Sequence, residues 1–444
     1  MSSTPSLTMG AFLPVDIYRL FSLTRLSSFR HILVLFSDES DAPMSSVNKH
    51  PATPLSQLFF IFLKLGFTAF GGPVAHLAFF REAFVEKRQW LTDAQYAELV
   101  ALCQFLPGPA SSQVGLAIGL MQGGVRGALL AWAGFTLPSA LFLMEAAVLF
   151  SASDSGAFAG VLHGLKLAAV AVVIHALIGM GRSLCPTLKT RALALASALV
   201  LLITPSAYSL GMQFVVIGAG ALFGFYALKG GVKAGQPLPA VLPRTVAFIA
   251  IGLLMLGLIG LPIAAHVWPN EALTAIDSFF RVGSLVFGGG HVVLPMLETE
   301  TVAKGMISAD AFLAGYGLVQ AVPGPIFTFS AFLGALLPGF TSPWIGALVC
   351  LIAMFLPSFL MVFALLPFWA NISHLNGIRR MLAVVNAVVV GLLASVLINP
   401  IATNSLHSVV DVMLTATITI ALFKRWLPVW ALVLLSAGAG ALLF

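Results

Sequence analysis

Lys64-Leu65-Gly66-Phe67-Thr68-Ala69-Phe70-Gly71-Gly72-Pro73 occurs twice in this chain, returning in altered form as Arg281-Val282-Gly283-Ser284-Leu285-Val286-Phe287-Gly288-Gly289-Gly290. In both copies a cation precedes a Phe-Gly-Gly break in an otherwise apolar helical run. Consecutive glycines forfeit helix propensity, and proline removes a backbone donor and clashes with the preceding turn. A second break follows each first one: Gln104-Phe105-Leu106-Pro107-Gly108-Pro109, then Gln320-Ala321-Val322-Pro323-Gly324-Pro325. Glu82 falls on Glu298, Gly127-Ala128-Leu129 on Gly346-Ala347-Leu348, and Leu137-Pro138-Ser139 on Leu356-Pro357-Ser358. Matched order at a nearly constant offset marks an internal duplication.

The setting of these repeats is a membrane. Of 444 residues, 59% are hydrophobic and 9% charged, and the mean hydropathy is +1.02. A soluble domain carries about 25% charged residues. Runs of about 20 apolar residues recur, enough to cross a hydrocarbon core of ~30 Å as helix. They are continuous rather than alternating, which excludes a β-barrel. The fold class is an all-α polytopic membrane protein with about thirteen hydrophobic segments from Leu55 onward. The formal charge of +6 comes without a basic cluster, so it points to cytoplasmic loops rather than to a nucleic-acid partner. Cys103, Cys185 and Cys350 are scattered and form no disulfide framework or metal pattern. No cofactor is implied.

Residues 1–50 mix Ser, Pro and Arg with short apolar runs and are predicted to be a disordered extension, with Met44 an alternative natural start. Residues 51–228 form the first repeat and 271–444 the second. Between them, 229–270 hold the polar stretch Lys229 to Pro237 and one extra transmembrane helix. Six segments, one extra, then six more would invert the second half relative to the first, as in many secondary transporters. With the N-terminus cytoplasmic and the C-terminus outside, Arg126, Arg182, Lys189, Arg191, Lys229, Lys233, Arg244, Arg379, Arg380, Lys424 and Arg425 all fall inside, as the positive-inside rule requires. Arg81, Lys87 and Arg88 violate it unless the motif segments 55–80 and 95–121 are re-entrant, turning back at their breaks. The sequence predicts this re-entrant arrangement.

Unwound backbone at membrane depth survives only where protein or a wet cavity satisfies it, and half-helix N-termini attract anions. The predicted substrate site therefore gathers Phe70, Gly71, Gly72, Pro73, Pro107, Gly108, Pro109, Phe287, Gly288, Gly289, Gly290, Pro323, Gly324 and Pro325. Lys64 and Arg281 are expected to converge on an anion, with Gln104 and Gln320 as neutral donors and His76 and His291 beside the breaks. The competing readings are helix kinks, snorkelling cations and structural hydrogen bonds. Glu82, Glu145 and Glu298 are the proton-coupling candidates. Ser111, Ser112 and Ser284 offer hydroxyls near histidines, but no nucleophile motif frames them, and no phosphate-binding loop is present. The chain reads as a transporter, not an enzyme.

With these motifs in order over residues 55 to 443, the chain resembles the chromate ion transporter family, in its long, two-domain form. The resemblance implies chromate export across the bacterial inner membrane and chromate resistance. Sulfate or another oxyanion is the alternative substrate, because every feature above serves a tetrahedral dianion. A dianion leaving a negative interior gains about 4.6 kcal/mol per 100 mV, so membrane potential drives export, with proton coupling an open addition. The residues leave open whether the chain works as a homo-oligomer.

Overall fold

In the computed structural model, residues 53–70, 72–152, 159–204, 209–227, 238, 242–286, 293–369 and 376–443 are described below. The predicted N-terminal extension, the proposed start at Met44 and the Lys229 to Pro237 stretch lie outside them. The helices are α1 Leu55–Thr68, α2 Gly72–Arg81, α3 Asp93–Phe105, α4 Ala110–Ala152, α5 Ala159–Leu184, α6 Leu188–Ile203, α7 Ser209–Ala227 and α8 Arg244–Val267. The second half continues with α9 Glu271–Leu285, α10 Val293–Thr301, α11 Ala309–Ala321, α12 Phe329–Leu336, α13 Pro343–Leu365, α14 Asn376–Val396, α15 Val409–Lys424 and α16 Val429–Leu443. No strand occurs among the described residues, and the protein is an all-α polytopic membrane protein. Among the described residues, four stretches are long and apolar enough to cross a bilayer: Ala110–Phe150, Gly160–Arg182, Arg244–Val267 and Pro343–Phe368. Outward-facing Phe248, Ile249, Leu253, Leu256, Ile259 and Ile263 on α8 are exposed, a surface suited to lipid rather than water.

The broken segments fold back on themselves. In the first half the α1 leg packs mainly on α4, and its Phe62 meets Phe80 at the end of the α2 leg edge-on at 6.0 Å and stacks on Phe84 just beyond it at 5.1 Å. At 14 and 10 residues, neither leg reaches the ~20 needed to cross. In the second half, α10 doubles back along α9 so that Glu300 meets Ser278 and Arg281. α4 is itself two legs, because Gly123 and Gly124 leave helical geometry and Gly124 takes φ +60. The legs close to backbone contact, and a Cβ on Gly119 would sit 2.5 Å from the Gly127 carbonyl. Gly334 on α12 and Gly346 on α13 repeat that contact at 2.4 Å. Small residues at helix crossings let backbones approach where lipid supplies no hydrophobic drive.

The halves exchange partners. α5 packs against α15 and α16 of the second half, while α14 packs against α6 and α7 of the first, and α5 and α14 touch each other. Gly160 and Gly164 meet Gly440 and Ser436, and Gly220 and Gly224 meet Val388 and Arg380. Cross-half polar contacts lock this exchange: Lys166 to Asp310 at 2.8 Å, His163 to Asp411 at 2.7 Å, and Trp369 Nε1 to Glu98 at 2.8 Å. The extra helix α8 lies outside the exchange and packs on α9 and α13.

Candidate functional site

Each Pro-Gly-Pro break has one backbone donor, the glycine N–H, because its prolines have none. Both glycines give that donor to the opposite half. Gly108 N–H donates to Val286 O at 2.6 Å, and Gly324 N–H donates to Ala69 O at 3.1 Å. Val286 and Ala69 are the residues just ahead of the two Phe-Gly-Gly breaks, so the four breaks meet as two reciprocal crossings. Gly108 and Gly324 hold φ +111 and +106, a region L-residues rarely adopt. A Cβ on Gly108 would lie 2.8 Å from Ser358 Oγ, and one on Gly324 would lie 2.8 Å from Ser139 Oγ. The duplicated Leu-Pro-Ser serines therefore sit at the crossings, each against the other half's glycine.

His76 braces one crossing from below. Its Nε2–H donates to the same Ala69 carbonyl at 3.1 Å, and its Nδ1 faces Ser111 Oγ at 3.3 Å. A carbonyl only accepts, so the Nε2–H tautomer follows and Nδ1 accepts from Ser111. The ring is buried edge-on against Phe135 at 5.2 Å. Phe70 is half-buried with its ring 6.1 Å from Trp430. Gly72 holds φ +75 and Pro73 follows it into α2. Pro109 and Pro325 are buried, while Pro107 and Pro323 are partly so. Gly71, Phe287, Gly288, Gly289, Gly290 and His291 lie outside the described residues.

The two cations do not share a partner. Lys64 is exposed on α1. Arg281 is held within its own half, 2.7 Å from Asp277 and 3.4 Å from Glu300. Lys304 adds a 2.5 Å contact to Glu300, and Ser278 also bonds that carboxylate. Two acids and two bases leave this buried cluster formally neutral, so it braces the α9–α10 hairpin rather than presenting free charge. Gln104 is exposed; Gln320 is partly buried, and its Nε2 has no partner among the described residues. Glu82 pairs with Lys87 at 2.5 Å on the surface, Glu145 is exposed on α4, and Glu298 is partly buried on α10.

Sequence reasoning passed over the polar atoms that the crossing leaves open. Among the described residues, Ser112 Oγ, Gln113 Oε1, Trp132 Nε1, Thr136 Oγ1 and Ser358 Oγ are buried without hydrogen-bond partners. Buried polar groups normally find partners, so Gln113 and Ser358, which flank Gly108, make this crossing the candidate site. The duplicated Leu-Pro-Ser carried the signal for Ser358, and Ser112 stood among the hydroxyls already noted; Gln113, Trp132 and Thr136 carried none. Two cavities of about 180 and 610 Å³ lie elsewhere, lined almost wholly by aliphatic side chains, and offer an anion nothing.

The sequence profile of chromate transporters matches residues 56–225 and again 273–441. The chain belongs to the chromate transporter family. Both copies of the family unit carry one of the crossed break pairs. A probable chromate transport protein of Synechococcus elongatus is 28% identical over 90% of this chain and 98% of its own length. A chromate transport protein of Cupriavidus metallidurans is 28% identical over 86% and 90%. An uncharacterized transporter of Methanocaldococcus jannaschii is 27% identical over 77% and 83%. No solved structure matches this family member.

Proposed function

We propose that this chromate transporter family member exports chromate across the bacterial inner membrane, through a site built where the broken helices of its two halves cross. The observation that carries the reading is the reciprocal pair of bonds, Gly108 N–H to Val286 O and Gly324 N–H to Ala69 O. Those bonds satisfy unwound backbone at depth and hold half-helix N-termini, with buried hydroxyls beside them, at the centre of the molecule. The hairpin geometry supports re-entrant motif segments, an inverted second half, a cytoplasmic N-terminus and an external C-terminus. Arg81, Lys87 and Arg88 then lie inside, as the positive-inside rule asks. Domain limits at 51–228 and 271–444 follow the same reading.

Each negative charge leaving through 100 mV, interior negative, gains about 2.3 kcal/mol, which makes outward movement the driven direction and gives chromate resistance. Glu298, partly buried on α10, is the most enclosed of the three carboxylates and the first choice for any proton coupling. The binding groups remain those of the breaks, with His76 and Gln320 alongside. Chromate flux into inverted vesicles carrying the full chain tests this, with potential and pH gradient imposed independently and sulfate as competitor. Uptake driven by an interior-positive potential is expected. Flux that ignores the potential, or that sulfate blocks as well as chromate does, would overturn it.

A further inference from the structure

We infer that the substrate site is single and asymmetric, formed at the Gly108 crossing by Ser112, Gln113 and Ser358, and that it takes the singly protonated oxyanion, hydrogen chromate. This rests on the reading of the crossed breaks as the substrate site. Gln113 fixes the argument. Its Nε2 donates to Pro107 O at 2.6 Å, which settles which way the amide faces. Its Oε1 is then a pure acceptor, fully buried, with no donor among the described residues. The amide stands 2.7 Å, and Ser358 Oγ 2.8 Å, from the Cβ position of Gly108, so both flank the same point of backbone. Ser112 is 4% and Ser358 1% exposed. Next to them begins the first turn of α4, whose N–H groups have no partner within the helix. Trp132, whose ring lies edge-on to Phe355 and Phe359 at 5.7 and 5.6 Å, adds an unpaired donor against α13.

Several donors and one acceptor match a particular ligand. A fully deprotonated oxyanion offers only acceptors and would meet Gln113 Oε1 lone pair to lone pair. Hydrogen chromate offers acceptor oxygens to the donors and one O–H to Gln113. Hydrogen chromate loses its proton near neutral pH, so the monoanion is abundant in a cell. Hydrogen sulfate is a far stronger acid and sulfate arrives without that proton. A site built to bond a substrate hydroxyl rejects the analogue lacking it by on the order of 10⁴-fold.

The second crossing leaves Thr136 Oγ1 and Gln320 Nε2 unpaired among the described residues, but it lacks the buried amide acceptor and its matched hydroxyls are engaged. Thr328, matching Ser112, gives its hydroxyl to Pro325 O at 2.6 Å. Ser139, matching Ser358, donates to Thr136 O at 3.0 Å, and Phe329 stands where Gln113 does. The other ionisable groups around the site are engaged or turned away. His76 bonds Ser111 and Ala69, Arg81 bonds Asp93 at 2.8 Å, and Glu98 is held by Trp369. Asp277 pairs with Arg281, and Asp310 with Lys166. Lys64 is exposed, and α12 and α13 carry no ionisable side chain other than Cys350.

The test uses the full chain in proteoliposomes. As pH rises past neutral, KM for total chromate should climb about tenfold per unit while KM counted as hydrogen chromate stays constant. With equal pH on both sides and 100 mV imposed, accumulation should stop near about fifty-fold, the limit for one charge, rather than about two-thousand-fold for two. Gln113→Met removes the acceptor; its KM for total chromate should be flat with pH, and excess sulfate should now inhibit. A KM constant in total chromate, accumulation beyond the one-charge limit, or a wild-type profile in Gln113→Met would each overturn the inference while leaving chromate transport standing. Should Gln113→Met fail to reach the membrane, the wild-type accumulation limit decides. No chromate flux in the wild type would instead sink the proposed function.

Discussion

Around Gly324 the hydroxyls are satisfied: Ser139 bonds Thr136 O at 3.0 Å and Thr328 bonds Pro325 O at 2.6 Å. Around Gly108 the matching Ser358 and Ser112 have no partner among the described residues. The backbone of the two crossings is alike, with the same left-handed glycine and the same donated N–H. Duplication has kept the scaffold and let the side chains part. At one crossing the matched hydroxyls are closed by their own bonds, and at the other they are left unpaired, which is the difference the single-site proposal rests on. The hairpins diverge in the same sense. Phe62, Phe80 and Phe84 hold the first by ring contacts, while Asp277, Arg281, Glu300 and Lys304 hold the second by charge.

That charge-held hairpin gives the largest expected effect. Arg281→Ala leaves Asp277 and Glu300, 5% and 1% exposed, with Lys304 alone, and losing one partner of a buried ion pair costs about 3–5 kcal/mol. Thermal unfolding in detergent should show a large drop in Tm, and transport should go with it. Adding Asp277→Asn to Arg281→Met leaves the neutral Glu300–Lys304 pair and should restore most of the stability. Transport returning with stability marks Arg281 as a brace. Stability returning without transport would move Arg281 back to the anion.

The next comparison substitutes both glycines. Gly108→Ala and Gly324→Ala each force an L-residue to a strained φ, costing about 1–3 kcal/mol, so both should lower Tm alike. Their transport should differ. A methyl at Gly108 meets Gln113 Nε2 at 2.7 Å and Ser358 Oγ at 2.8 Å, and should abolish chromate flux. A methyl at Gly324 meets Ser139 and should leave flux in proportion to folded protein. Equal loss in both, measured per folded molecule in vesicles, would restore two equivalent sites. Ser358→Ala against Ser139→Ala is the gentler form. A single lost hydrogen bond is worth about 0.5–1.5 kcal/mol, so Ser358→Ala should raise KM about three- to tenfold at unchanged Tm. Ser139→Ala should lower Tm slightly at unchanged KM.

Much of this was legible in the residues. Glycine and proline act on the backbone locally, so the breaks and their pairing could be read from one chain laid against itself. What could not be read is which side chains face one another across the halves, because that depends on the register of α4 against α13. Lys64 and Arg281 matched in sequence, and identity of position suggested identity of role. The clue against it was present: Asp277 with Arg281 and Glu300 with Lys304 stand at the i,i+4 spacing of ion pairs. The matching positions in the first half, Phe60 and Phe84, offer no partner. Gln113 was invisible for the opposite reason, since it has no counterpart in the repeat to draw attention to it.

Lys64 completes the contrast between halves, and its substitution carries the smallest expected effect on folding. It is exposed on α1, between Phe60 and Phe67, which also face outward at 64% and 60% exposure. A long stem on such a face reaches toward a headgroup with its charge in water. Lys64→Ala should therefore leave the unfolding free energy within about 0.5 kcal/mol of the wild type. If the cation draws the anion toward the crossing, its loss acts through the encounter, so KM should rise at low salt and converge with the wild type as salt screens the field. A fall in kcat that salt does not remove would place the Lys64 charge at the bound anion, and the two halves would then share the site after all.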